Sequence, residues 1–180
     1  MRRLTQFFKG LIQFFKTVLV VYRVVYRDGL DGLLRDSLTK LYNRIFLKEV
    51  GEKEIAKAKR YDRSLSMILV DIDGFKEFND TFGHLEGDKA LKETAEVMTR
   101  CCRKIDLIFR WGGDEFLMIF PETNEREARV LMERMAEELL SRNIQISYGI
   151  ALWGKNFDSL KKLIDEADKQ LYCHKETKKA

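Results

Sequence analysis

The stretch 105–120 constrains this chain more than any other. Two apolar runs, 105–111 and 116–120, flank the pair Gly112-Gly113, the pattern of two antiparallel strands joined by a tight turn. Glycine tolerates the positive φ that such turns need, so the sequence predicts left-handed backbone at the tip. Asp114 and Glu115 follow at once. A turn calls for a polar residue but not for two adjacent acids, and this surplus of charge stands where solvent and ligands reach.

The periodicities on either side place the hairpin in a larger sheet. Asp36 to Thr39 offers turn and cap chemistry, and a helical pattern carrying Leu41, Ile45, Phe46, Val50, Ile55 and Ala58 runs to about Tyr61. Residues 67–73 form a short apolar run ending in acids, the profile of a buried strand. A short helix over 75–81, a loop over 83–87 and a helix over 88–103 precede the hairpin, which Pro121 ends. An amphipathic helix over 124–142, a strand over 145–153 and a last helix over 158–174 complete the chain. The order β-α-α-β-β-α-β-α predicts an α+β fold with a palm-like βαββαβ plan. Its central sheet is antiparallel, with surrounding helices expected on one face.

With 180 residues, the chain has room for one domain and an extension. The net charge of +4 is unevenly placed: six basic residues and no acid precede Asp28, leaving 27 basic and 29 acidic residues beyond. The globular part is therefore not a basic nucleic-acid binder. Cys101, Cys102 and Cys173 lack metal-ligand spacing and read as reduced structural thiols of a cytoplasmic domain.

Residues 1–27 read as a separate basic amphipathic helix. Leu4, Phe8, Leu11, Phe15, Val18, Tyr22 and Val25 alternate by four and three, while Arg2, Lys9, Lys16 and Arg23 recur every seven. Charges interrupt every apolar run well short of the ~20 residues that cross a bilayer. Two roles fit the pattern: a dimerisation seam, or a helix lying on an anionic membrane at its inner face. Asp28-Gly29 and Asp31-Gly32 then predict a hinge over 28–35, followed by a globular domain over 36–180.

Asp71 falls at the end of the first strand and Asp114 at the start of the strand after the turn. If those strands are neighbours, their carboxylates converge on one sheet edge. Hard oxygen ligands of this kind suit Mg²⁺ shared with substrate phosphates, and such ions support phosphoryl-type transfer. Asp73 reads as a cap of the following helix.

Gly112-Gly113-Asp114-Glu115-Phe116 resembles the signature of the GGDEF family of diguanylate cyclases. Asp36-x-Leu-Thr-x-Leu-x-Asn-Arg44 resembles that family's opening motif, and Asp71-Ile-Asp-Gly-Phe-Lys76-x-x-Asn79-Asp80-x-x-Gly83-His84-x-x-Gly87-Asp88 its substrate segment. Ser147-Tyr-Gly-Ile-Ala151 and Ala167-Asp168-x-x-Leu171-Tyr172-x-x-Lys175 resemble its last strand and final helix, so the match covers about 36–179.

The resemblance implies condensation of two GTP molecules into cyclic di-GMP and two pyrophosphates, each 3′-hydroxyl attacking the other nucleotide's α-phosphate. It implies Mg²⁺, or alternatively Mn²⁺, held by Asp71, the carbonyl of Ile72 and Asp114, with Glu115 sharing a metal or deprotonating the hydroxyl. Lys76 would neutralise phosphate charge, and Asn79 and Asp88 would read guanine. His84 would stand beside the nucleotide, and Gly74 and Phe75 would offer backbone N–H groups to phosphate. Lys175 would bind phosphate. Lys179 stands where the family has arginine, keeping the charge but losing the bidentate fork. Arg103 and Asp106 match an inhibitory product site, with Arg134 as its secondary arginine or as an i,i+4 partner of Glu138. Because one such domain holds one GTP, the resemblance implies a homodimer. Two competing readings are a catalytically weak sensor of GTP or cyclic di-GMP, and another palm-fold nucleotide cyclase or polymerase.

Overall fold

The computed structural model describes residues 29–154 and 159–179. The amphipathic helix expected over 1–27 lies outside the described residues. The chain divides into two units, Met1–Arg35 and Asp36–Ala180. In the first, Gly29–Leu34 is a short helix, where the two Asp-Gly pairs predicted a break. Leu30, Leu33 and Leu34 are strong helix formers, and they outweigh the cost of about 1 kcal/mol that each glycine carries.

The second unit runs α1 Arg44–Tyr61, β1 Leu65–Ile72, α2 Phe75–Phe82, α3 His84–Cys101, β2 Leu107–Arg110, β3 Glu115–Pro121, α4 Glu125–Leu140, β4 Ile146–Leu152 and α5 Leu160–Lys179. Its four strands lie in the order β2-β3-β1-β4, each neighbouring pair antiparallel. This is the expected order of elements. Two boundaries differ from expectation. The Asp36–Thr39 turn does not open α1, because Asn43 caps that helix by accepting from the N–H groups of Ile45 and Phe46. His84, expected in a loop, is the first residue of α3.

The helices cover both faces of the sheet, not one. Every residue of β1 is buried, so neither side of the strand can face water. Ile68, Val70 and Ile72 pack with Leu91, Ala95 and Met98 of α3 and Ala128, Met135 and Leu139 of α4. Leu65, Met67 and Leu69 pack with Leu47 and Ile55 of α1 and Leu163, Ala167 and Leu171 of α5. A continuous apolar run without alternation is the mark of a strand covered twice.

The seat of α5 is set by Gly149. A Cβ there would lie 2.0 Å from the carbonyl oxygen of Ala167 and 2.3 Å from the nitrogen of Leu171. Only glycine lets the helix backbone come so close to β4. That contact fixes the line of α5 across the sheet and brings its last turns over the end of β1.

Among the described residues, no helix is long and apolar enough to cross a membrane.

Candidate active site

The turn that joins β2 to β3 is wider than a two-residue hairpin. The N–H groups of Trp111 and Gly112 both donate to the carbonyl of Glu115, at 2.8 and 3.2 Å. Strand β3 resumes at Glu115, so Asp114 belongs to the turn and not to the strand. Neither glycine of the turn has left-handed φ; among described glycines only Gly74 and Gly83 do. Space is tight at Gly112 alone, and there against the flexible end of a side chain; nothing in the structure requires glycine at 113. A Cβ on residue 112 would lie 2.8 Å from Oε2 of Glu115, while one on residue 113 would meet nothing within 4 Å.

Arg110 of β2, together with side chains from the 36–44 segment, holds this turn. Arg110 donates from Nη2 and Nε to the carbonyl of Gly113, at 2.7 and 3.2 Å, and from Nη1 to Oδ1 of Asp36 at 3.0 Å. The same Asp36 oxygen accepts from the N–H and hydroxyl of Thr39. Burial would raise the Asp36 pKa, but the Thr39 and Arg110 bonds outweigh it and hold the carboxyl below its ordinary value. Arg44 stacks over Trp111 at 4.0 Å. Between these two grips, Tyr42 exchanges backbone bonds with Ile108 and Arg110. The 36–44 segment therefore shapes the turn. Sequence reasoning missed Arg110, because its partner stands 74 positions away.

The carboxylates meet at the ends of neighbouring strands. Asp71 is in register with Glu115 on β3 and with Ser147 on β4, so all three side chains share one face. The N–H of Ile72 donates to the carbonyl of Asp114 at 3.3 Å. Burial raises the Asp71 pKa, and the Asp114 and Asp73 charges add to that, partly offset by Lys175. Burial also raises that of Glu115, and the charges of Asp71 and Asp114 add to it. Lys175 reaches down from α5 to Oδ1 of Asp71 at 2.7 Å. Ser147 Oγ is buried there with no partner. Asp71, Ile72, Asp114, Glu115 and Lys175 are thus brought together. Among the described residues, however, no three acid, histidine or cysteine side chains form a closed metal-ligating group.

Beyond β1 the chain turns through Gly74, whose φ of 67° is left-handed, into α2. No side chain caps that helix. Asp73, expected as its cap, is instead paired with Lys178, whose ammonium reaches Oδ2 at 2.8 Å. Lys76 lies exposed on the first turn of α2, and His84 lies exposed at the start of α3. Asn79 of α2 packs against Gly87 of α3, where a Cβ would fall 1.9 Å from its Oδ1. That oxygen is buried and has no partner, and Asp88 is the next residue. The side chain of Lys179 lies outside the described part of the structure.

The residues matched to an inhibitory site form a separate cluster at the end of α3. Arg103 donates to Asp106 at 3.0 Å, to Thr123 Oγ1 at 2.7 Å and to the carbonyl of Pro121 at 3.0 Å. Asp106 is buried and also accepts from the Arg103 N–H. Arg134 donates to the carbonyl of Cys101. Glu138 is engaged by Arg100 and Arg142. The neighbouring Cys102 thiol is pushed up to about 12, chiefly by burial, which makes it inert.

The model of the family described as "Diguanylate cyclase, GGDEF domain" matches residues 33–180. Diguanylate cyclase DosC of Escherichia coli K12 is 36% identical over 150 residues, covering 78% of this chain and 32% of DosC. The chain thus spans about a third of the length of such relatives. Among solved structures, the GGDEF domain of DgcB from Caulobacter crescentus in complex with c-di-GMP superposes with a TM-score of 0.77 at 30% identity, covering 81% of this chain and 89% of that one. A longer DgcB structure with coiled coil and GGDEF domain, also with c-di-GMP, gives a TM-score of 0.85 at 26% identity, covering 94% and 95%. Through residues 33–180, this chain belongs to the GGDEF diguanylate cyclase family.

Proposed function

We propose that the chain is a diguanylate cyclase, each copy presenting one GTP to a second copy across a twofold axis. The observation that carries the reading is the pairing of Asp71 with Glu115 at the strand ends, beside the Asp114 carbonyl and beneath Lys175. Three carboxylates crowd there, and burial with mutual repulsion raises two of their pKa values. A divalent cation fits such a donor set: Asp71, Asp114, the Ile72 carbonyl and Glu115 would hold it, with phosphate oxygens completing the shell. When bound, Mg²⁺ or Mn²⁺ supplies charge neutralisation at the α-phosphate and lowers the pKa of the attacking hydroxyl.

The chain's own groups do the rest. Asn79 and Asp88 read the guanine edge; the buried, unpartnered Asn79 Oδ1 is an acceptor that a guanine N–H satisfies. The N–H groups after Gly74, with Phe75, receive phosphate at the start of α2. Lys76, Lys175 and Lys179 neutralise the triphosphate, with Lys175 passing from Asp71 to phosphate as substrate arrives. The 3′-oxygen of one GTP bonds to the α-phosphorus of the other, the α–β bridging P–O bond breaks, and pyrophosphate leaves. Glu115, opposite Asp71 at the strand end, takes the hydroxyl proton. Arg103, Asp106 and Arg134 bind the product and restrain further turnover.

The test is product identity. GTP and Mg²⁺ incubated with the purified chain should yield cyclic di-GMP, while ATP yields no cyclic product. GTP that binds tightly but is never converted would reject the enzyme and favour a nucleotide sensor.

A further inference from the structure

Near its C-terminal end α5 carries two lysines three residues apart, and each meets an acid at the exit of β1. Lys175 lies on Asp71 at 2.7 Å and Lys178 on Asp73 at 2.8 Å. Their situations differ. The Lys178 ammonium has a second acceptor, the carbonyl of Ile146 at the start of β4. Asp73 is anchored in turn by its N–H, which donates to the carbonyl of Gln145 at 2.9 Å. Lys178 thus joins three elements at one point: the end of β1, the start of β4 and the last turn of α5. Gly74, in left-handed conformation, follows Asp73 immediately and leads into α2.

We propose that Lys178 is a positioning residue for the nucleotide's phosphates, acting through Asp73. The proposal rests on the reading that the Gly74–Phe75 helix start receives the phosphates of GTP. An unpaired Asp73 carboxylate would set a like charge beside the triphosphate and leave the Gly74 turn held only by the Asp73 N–H bond to Gln145. Lys178 removes the charge and fixes the turn. Two acceptors hold its ammonium in place, so it stays on Asp73 when substrate arrives, whereas Lys175 passes to phosphate.

The experiment compares the full chain with Lys178→Ala, Lys178→Gln, Asp73→Asn and the double variant Lys178→Ala/Asp73→Asn. KM and kcat for GTP with Mg²⁺ are measured, together with GTP binding by calorimetry and the thermal midpoint. Lys178→Ala and Lys178→Gln should raise KM and the dissociation constant about tenfold, with kcat changing much less. Adding Asp73→Asn to Lys178→Ala should bring KM back to within about twofold of Asp73→Asn alone, because the offending charge is gone. A lysine that merely pins the helix end gives no such rescue. KM unchanged in Lys178→Gln, or a double variant as weak as Lys178→Ala, overturns the proposal. A wild-type chain that binds GTP with this pattern yet makes no cyclic product rejects the cyclase while sustaining Lys178. A wild-type chain that does not bind GTP rejects both.

Discussion

Gly87→Ala separates the nucleotide site from the fold. Gly87 is buried in the first turns of α3, and a Cβ there would lie 1.9 Å from Oδ1 and 2.9 Å from Cγ of Asn79. Phe75 Cζ would be 3.2 Å away, close but able to give. The new methyl group and the present Asn79 rotamer cannot coexist. For the free protein the balance is small. Alanine gains about 1 kcal/mol of helix propensity over glycine. Pushing Asn79 off its rotamer costs about 0.5–1.5 kcal/mol, and its Oδ1 has no bond to lose. Stability should therefore stay within about 1 kcal/mol of wild type by urea unfolding. For GTP the loss is not offset. A displaced amide leaves the guanine edge unpaired, at roughly 1–3 kcal/mol, or about 5- to 150-fold in kcat/KM. Asn79→Ala should give a similar loss, and the two changes together little more than either alone. A Gly87→Ala chain that folds normally and turns over GTP at the wild-type kcat/KM would refute the placement of Asn79 at the base.

Other perturbations follow from the same geometry. Arg110→Ala removes a largely buried pair with Asp36 and both bonds to the Gly113 carbonyl; it should cost roughly 2–4 kcal/mol by urea titration, and a loss below ~1 kcal/mol would show that the turn holds itself. Glu115 titrates above its ordinary value of 4.5 through burial and then the charges of Asp71 and Asp114. The folded chain thus binds the proton more tightly than the unfolded one, so stability falls as pH rises from that value through the raised folded pKa. Glu115→Gln should accordingly raise the urea midpoint at neutral pH, with the gain shrinking on acidification, whereas a constant difference would argue against this sign. Mg²⁺ without nucleotide should raise the wild-type thermal midpoint more than that of Glu115→Gln; equal shifts would remove Glu115 from the metal site. Arg103→Ala should relieve inhibition by cyclic di-GMP, read as the product concentration that halves the rate, and an unchanged value would reject the product site at α3.

Much of this domain is legible in order along the chain because its signals are local. The β2–β3 hairpin, the apolar run of β1 and the acids that end it need only neighbouring residues to be read. The same run already carried the two-faced burial that the one-faced expectation overlooked: from Leu65 to Val70 it offers no alternation beyond Ser66. What stayed hidden are choices of partner. Asp73 looks like a helix cap until Lys178, 105 positions on, takes its carboxylate. Gly112 and Gly113 look like turn residues chosen for φ, yet neither has left-handed backbone, and only Gly112 has a side chain, that of Glu115, close by. His84 sits at a helix start because Gly83, at a φ of 85°, ends α2 and begins α3 in a single residue. Arg110 carries no mark in the sequence of what it holds.

Asp114 in the turn and Glu115 at the start of β3 stand in half of a two-nucleotide site. Specific activity measured against protein concentration, with GTP and Mg²⁺ saturating, tests it most directly. Turnover per subunit should rise with concentration to a plateau, releasing one cyclic di-GMP for every two pyrophosphates. Turnover that is constant down to concentrations where sedimentation shows only monomer would contradict it.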